Sequence, residues 1–409
     1  MSVFIAILGL AFLILIHELG HFVTARTVGM RPRRFYVGFP PALVKTTRNG
    51  IEYGLGAIPL GGYVKIPGMH RPAPGDLDVH FGPAEYEAPS LVGPIERIKR
   101  LLGDGDLEAA RTELSTLERA LEDAELTPGA RRAAERGLRE LEDGLSSDAY
   151  WRQRTWKRLA VIAAGPGTNL VFAILLIALV YMLGVPVDAS RRVASIEPKT
   201  PAAAAGLRPG DTIVAINRQP ANTFKDVRND ITGSRGKPLV VSVIRNGRYV
   251  ELKPVKPTKI DGYYALGFHP SGIRYRHYGP ARALALGAAD TWTATKRLGS
   301  FLGHITKPAN RRQISTPVGI VNQSSKAVQG GYRDYLLILA LISLSLGLLN
   351  LLPLLPLDGG HIAFSIVEGI RGKAVGRIVY ERVSAVGIAL ILVLYVIGIS
   401  NDVGRLGGG

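Results

Sequence analysis

Residues 3–23 read VFIAILGLAFLILIHELGHFV, a run that is apolar except for His17, Glu18 and His21. A helix needs about 20 such residues to cross a bilayer, so this stretch places the chain among membrane proteins. An ionisable side chain at mid-bilayer costs at least ~2.5 kcal/mol, and three within five residues demand a compensating ion or cavity. On a helix, positions i and i+4 share a face about 6 Å apart along the axis. His17 and His21 can therefore reach one zinc ion, and Glu18 can activate a water beside it.

Three further stretches of the 409-residue chain are long and apolar enough to span: roughly Leu159–Val185, Tyr335–Leu357 and Val383–Ser400. The first run opens Met1-Ser2-Val3-Phe4, with no charged leader and no small-x-small cleavage pattern. It reads as a retained transmembrane helix rather than a signal peptide. The formal net charge is +17, but the basic residues are gathered beside the spans. One cluster is Arg26, Arg31, Arg33, Arg34, Lys45 and Arg48, and a second is Arg152, Arg154, Lys157 and Arg158. The third is Arg371, Lys373, Arg377 and Arg382. That distribution follows the positive-inside rule and argues against a nucleic-acid partner. It puts these three clusters in the cytoplasm, and both termini with residues 186–334 outside. The chain has no cysteine, so a metal must be held by nitrogen and oxygen ligands.

With that topology the first and third spans run in the same direction. Asp358 comes about as far into the third span as the two histidines come into the first, in the stretch Asn350-Leu351-Leu352-Pro353-Leu354-Leu355-Pro356-Leu357-Asp358-Gly359-Gly360. Its prolines and glycines break the helix, and irregular backbone at membrane depth is tolerated only inside protein or along a wet cavity. Asp358 is the expected third ligand. His361 is expected in the following turn, leaving the fourth metal position to water.

Between the first two spans, Ile51–Gly68 has the composition of a β-hairpin with Gly61-Gly62 as its turn. Residues 94–145 carry Leu107, Ala110, Leu114, Leu117 and Leu121, then Thr127-Pro128-Gly129, then Leu138, Leu141 and Leu145. This predicts an antiparallel helical hairpin acting as a cytoplasmic spacer. Strands are predicted at Val193–Ile196, Thr212–Ile216, Leu239–Arg245 and Tyr249–Val255, with a helix at Phe224–Ile231. Ala281–Leu302 is amphipathic enough to lie on a membrane surface. His70, His80, His269, His277 and His304 read as surface histidines, and Asp290 and Trp292 as packing residues.

Taken in order, these motifs resemble the site-2 protease family of intramembrane zinc metalloproteases. The likeness is to its bacterial, PDZ-containing, regulator-of-sigma-E-protease-like branch. The resemblance rests on His17–His21, on Pro59-Leu60-Gly61-Gly62-Tyr63-Val64-Lys65, on Ala164-Gly165-Pro166-Gly167-Thr168-Asn169 and on Asn350–Gly360. Ala202–Asn217, with its Ala-Gly-Leu-Arg-Pro-Gly-Asp, looks like a PDZ core. It implies a polytopic α-helical membrane protein of about four transmembrane helices, with a membrane-reentrant β-hairpin, a cytoplasmic helical insertion and one extracytoplasmic PDZ-like β domain. The implied divisions are residues 1–90, the first span and reentrant region; 91–150, the insertion; and 151–186, the second span. The PDZ domain then takes 187–260, an amphipathic segment 261–334, and the last two spans 335–409.

The resemblance also implies a function: regulated intramembrane proteolysis in the bacterial inner membrane, with the active site towards the cytoplasm. Substrates would be single-span proteins already cut by another protease, such as anti-sigma factors or remnant signal peptides. His17, His21 and Asp358 would bind Zn2+ and Glu18 would be the general base. Asn350, Asn169, Gly54, Gly56 and Pro353 would lie at the substrate. Two other classes compete. A metal or proton transporter would show repeated halves and polar residues at several depths, and none are seen. A non-catalytic PDZ scaffold would be missing a ligand or the glutamate, and all are present.

Overall fold

In the computed structural model, residues 1–260, 263–304, 311, 314–372, 375 and 377–407 are described; Lys373 of the third basic cluster lies outside them. The chain forms two compact units, Met1–Ile177 with Gly287–Gly409, and Ala178–Leu286. Among the described residues, four helical stretches are long and apolar enough to cross a membrane: Ser2–Thr27, Thr155–Leu183, Tyr332–Asn350 and Val379–Gly404.

In the first unit, α1 (Ser2–Thr27) leads into strands β1 (Arg34–Arg48) and β2 (Ile51–Lys65). The strands pair antiparallel from Arg48↔Ile51 to Arg34↔Lys65, and bulges let the hairpin double back so that Arg34–Val37 also lies beside Glu52–Leu55. The turn is Asn49-Gly50, both at positive φ (52° and 74°), as a two-residue type I′ turn requires. The expected Gly61-Gly62 turn is therefore corrected: both glycines lie inside β2. Gly62 meets a different need, since a Cβ there would stand 2.8 Å from Glu18 Cγ on α1.

Four helices follow: α2 (Pro74–Glu87), α3 (Val92–Asp104), α4 (Leu107–Asp123) and α5 (Pro128–Leu145). They share one core in which Leu77, Phe81, Ile95, Ile98, Leu117 and Leu145 are fully buried. The Asp106 and Thr127 side chains cap α4 and α5, accepting from the amides of Ala109 and Ala130. The predicted helical hairpin is thus half of a four-helix bundle. Its first helix is hidden in sequence because Leu77, Phe81 and Ala84 are interspersed with Gly75, His80, Gly82 and Pro83. The bundle is latched to the hairpin. Buried Asp143 accepts from Arg33 Nε at 2.8 Å and pairs with Lys65 Nζ at 2.7 Å. Tyr150 and Trp151 donate their amides to the carbonyls of Pro67 and Gly68.

Helix α6 (Thr155–Leu183) leads to the second unit. There β3 (Val185–Asp188), β4 (Val193–Ile196), α7 (Pro201–Ala205), β5 (Thr212–Ile216), β6 (Gln219–Pro220), α8 (Phe224–Gly233), β7 (Val241–Arg245) and β8 (Arg248–Glu251) follow one another. The strand order β6-β5-β7-β8 makes one antiparallel sheet. β9 (Thr258–Ile260) pairs with β10 (Tyr263–Ala265), β11 (Phe268–Pro270) with β4, and β12 (Arg274–Arg276) with β3. Leu266 packs into the same core as Val193, Ile213 and Val243, so this fold runs past residue 260.

The first unit resumes within α9 (Pro280–Gly303), followed by α10 (Pro317–Gly330) and α11 (Tyr332–Asn350). An irregular stretch, Leu351–Leu357, carries Pro353 and Pro356 and turns the chain into α12 (Asp358–Arg371) and α13 (Arg377–Gly407). Asp358 therefore begins a new helix rather than ending the third span. Gly359 and Gly360 permit the reversal, because a Cβ at either would collide with the backbone of residues 351–355.

Candidate active site

The buried face of α1 carries Leu13, His17, Gly20, His21 and Ala25, at the three- and four-residue spacing of one helix stripe. Gly20 lets α6 approach: a Cβ there would stand 2.6 Å from Thr168 Oγ1, and one at Gly165 would overlap the His21 ring. Helix α11 closes on α6 at Gly347, where a Cβ would lie 2.9 Å from the Pro166 carbonyl. Small residues at helix crossings are how membrane helices come close enough for side chains to meet.

Three ligand atoms converge there. His17 Nε2 and His21 Nε2 lie 3.2 and 3.4 Å from Asp358 Oδ2, and 3.3 Å from each other. They form a cluster of metal-ligand type, with both histidines buried and Asp358 partly so. The backs of the rings agree with that use. His21 Nδ1 is 2.8 Å from the Val161 carbonyl, so the proton sits on Nδ1 and the Nε2 lone pair faces the centre. Behind His17 stands Asn169, fully buried, its Nδ2 3.2 Å from His17 Nδ1 while its Oδ1 has no partner. Turning the amide over gives Oδ1 to an Nδ1–H and ends the mismatch, again leaving Nε2 free as a ligand. Two nitrogens, each held from behind, and a carboxylate oxygen fit zinc.

Glu18 is next to the first ligand, and the Val64 backbone lies beside its carboxylate. Val64 belongs to Gly62–Lys65, which pairs with Arg34–Val37 on one side; among the described residues no strand pairs with its other side. The open sheet edge thus passes directly over the glutamate.

The expected substrate residues fare differently. Asn169 is buried and contacts His17. Gly54 lies between Lys45 and Tyr36, so its segment has no open edge, and buried Gly56 pairs with Ala42. Gly54 lets the doubled hairpin pack, since a Cβ on it would enter the Tyr36 ring. Asn350 is half-buried at the end of α11, donating from Nδ2 to the Leu346 carbonyl at 3.1 Å, and Pro353 is exposed. His361 is not in the cluster; its ring meets the Tyr380 hydroxyl at 2.8 Å. His80 is partly buried and pairs with Glu140 at 2.9 Å, whereas His70 is exposed as expected, with its ring against Tyr380. Val64 and Val161 were not legible as site residues, because they act through backbone groups.

The sequence profile of peptidase family M50 matches residues 5–394. A provisionally named zinc metalloprotease of Agrobacterium fabrum is 30% identical over 98% of this chain and 95% of its own length. Zinc metalloprotease RasP of Geobacillus kaustophilus is 28% identical over 96% of this chain and 95% of its own. RasP of Bacillus licheniformis is 27% identical over 96% of each.

Proposed function

The chain belongs to peptidase family M50, and from that premise we propose how this intramembrane zinc metalloprotease holds its metal and cuts its substrates. The observation that carries the reading is the meeting of His17, His21 and Asp358 beside Glu18 at an open strand edge. His17, His21 and Asp358 are the zinc ligands, and Asn169 and the Val161 carbonyl orient the two rings. Zinc, when bound, supplies the Lewis acidity that makes water nucleophilic at neutral pH and polarises the scissile carbonyl.

Glu18 takes a proton from the attacking water and passes it to the leaving amine. The Val64 amide keeps its carboxylate turned towards the site. A helical peptide bond is shielded, so the substrate segment unwinds and adds as a strand along Gly62–Lys65, which supplies backbone partners that lipid lacks. Asn350, at the end of α11, retains a second amide N–H for a substrate carbonyl.

The substrates are single-span membrane proteins already shortened by another protease. The arginine- and lysine-rich connections mark the cytoplasmic side, which places the site there in a bacterial inner membrane and the second unit outside. That unit is read as a PDZ-like domain on the strength of its Ala-Gly-Leu-Arg-Pro-Gly-Asp segment and four-stranded sheet, and the doubled hairpin as the membrane-dipping element.

Co-expression of a model single-span substrate with wild type or Glu18→Gln, with zinc measured in both purified proteins, tests the reading. Zinc in both and cleavage by wild type alone is expected. A folded wild-type protein that binds no zinc overturns it.

A further inference from the structure

The first unit contains a cleft of about 850 Å3 that extends beyond the strand edge used in the catalytic reading. Its floor is Tyr63–Lys65, the same open strand edge that touches Glu18. One wall comes from the bundle, with Asp76, His80 and Glu140; the other comes from α12 and α13, with Glu368, Tyr380 and Glu381. All these residues lie in, or within a few turns of, the connections between spans one and two and between spans three and four. With four spans those connections share one side of the membrane, so the cleft opens on that side.

We propose that this cleft receives the membrane-proximal flank of the substrate chain on the side of the bundle, as an extended segment rich in lysine and arginine. The proposal rests on the protease reading and names what that site takes beyond the scissile segment. Continuity carries it. A strand added along Gly62–Lys65 leaves the edge at Lys65 and meets the cleft, whose volume is that of a ligand site. Charge sets the class. The chain is formally +17, yet Asp76, Glu140, Asp143, Glu368 and Glu381 line this cleft against Lys65, Arg71 and Arg158, with Asp143 paired to Arg33 and Lys65 and Glu368 to Arg158. Single-span proteins carry their basic residues on the cytoplasmic flank, the side to which the basic clusters of this chain assign the cleft. The helical bundle is then a wall of the substrate path rather than a spacer.

The test uses the full-length Glu18→Gln protein in lipid nanodiscs and a single-span model substrate with a photo-crosslinking residue in its basic flank. Cross-links to residues 137–141 and 380–388 are expected, and they need no catalysis. In parallel, wild type is compared with Glu140→Lys/Glu381→Lys on substrates with Lys/Arg-rich and Glu-rich flanks. The double variant is expected to raise KM for the basic flank about fivefold, to lower it for the acidic flank, and to leave kcat and zinc content unchanged, with the difference shrinking at high salt. Cross-links confined to other faces, or a KM blind to flank charge, overturn the cleft even where wild type cleaves. Cross-links in the cleft with no cleavage by wild type would uphold the cleft and overturn the catalytic reading instead.

Discussion

Asn169 stands directly behind His17, its side-chain nitrogen 3.2 Å from Nδ1 and its oxygen without a partner. A buried amide with an idle oxygen is costly unless the oxygen takes the imidazole proton. Asn169→Ala should therefore weaken zinc binding by about 10–100-fold, read by competition with a chelator. Asn169→Asp restores an acceptor and should retain zinc better than the alanine variant. Equal affinity in all three would leave Asn169 a packing residue only.

Glu18→Gln should lower the cleavage rate by at least about 10²-fold while zinc stoichiometry stays at the wild-type level. Chelation should silence the wild type, and added zinc should restore it. A glutamine variant that still cuts at a comparable rate would assign the base elsewhere.

In the proposed mechanism the Val64 amide serves the Glu18 carboxylate beside it. Proline lacks that N–H but is tolerated on a strand's unpaired side. Val64→Pro should lower kcat about tenfold or more with little change in melting temperature, consistent with loss of one charge-assisted hydrogen bond. A large fall in melting temperature with unchanged kcat would contradict the role given to the strand.

Asp143 binds the bundle to the hairpin through Arg33 and Lys65, which are each about a third exposed at 31% and 34%. Breaking a fully buried pair costs ~3–5 kcal/mol; solvent at the two cations reduces the expected loss for Asp143→Asn to about 1–2 kcal/mol. Chemical denaturation of the purified protein checks it.

In the second unit, burial alone would raise the Asp211 pKa, but the paired hydrogen bonds from Arg245 and the Arg208 amide outweigh it and hold the carboxyl below its usual range. A depressed folded pKa gives stability that is present above the unfolded value of about 3.9 and lost as pH falls through the folded one. Asp211→Asn should melt below wild type at pH 6, and the gap should narrow as pH drops under about 4. A gap that stays constant down to pH 2.5 would exclude this linkage.

Much of this was legible in sequence because membrane burial leaves few choices. The apolar run with His17, Glu18 and His21 defined both a span and a ligand pair, and Asp358 followed from depth. Strands at Val193–Ile196 and Thr212–Ile216 fell where valine-rich runs met turns. The doubled hairpin was not legible, since Gly61-Gly62 and Asn49-Gly50 both carry turn chemistry. The register closing at Arg48↔Ile51, with Asn49 and Gly50 at positive φ, shows which pair bends. Helix α2 was missed because its buried face has three apolar residues among glycines and a proline. The contact of Asn169 with His17 was not legible, because polarity in a span signals function without saying which neighbour it serves.

The open edge of Gly62–Lys65 imposes a period on any cut made beside it. Side chains of an added strand alternate between two faces, so a one-residue slip turns every substrate side chain over, whereas a two-residue slip preserves the pattern. Secondary products should then differ from the main one by pairs of residues, a spacing written by the pleat and independent of substrate sequence.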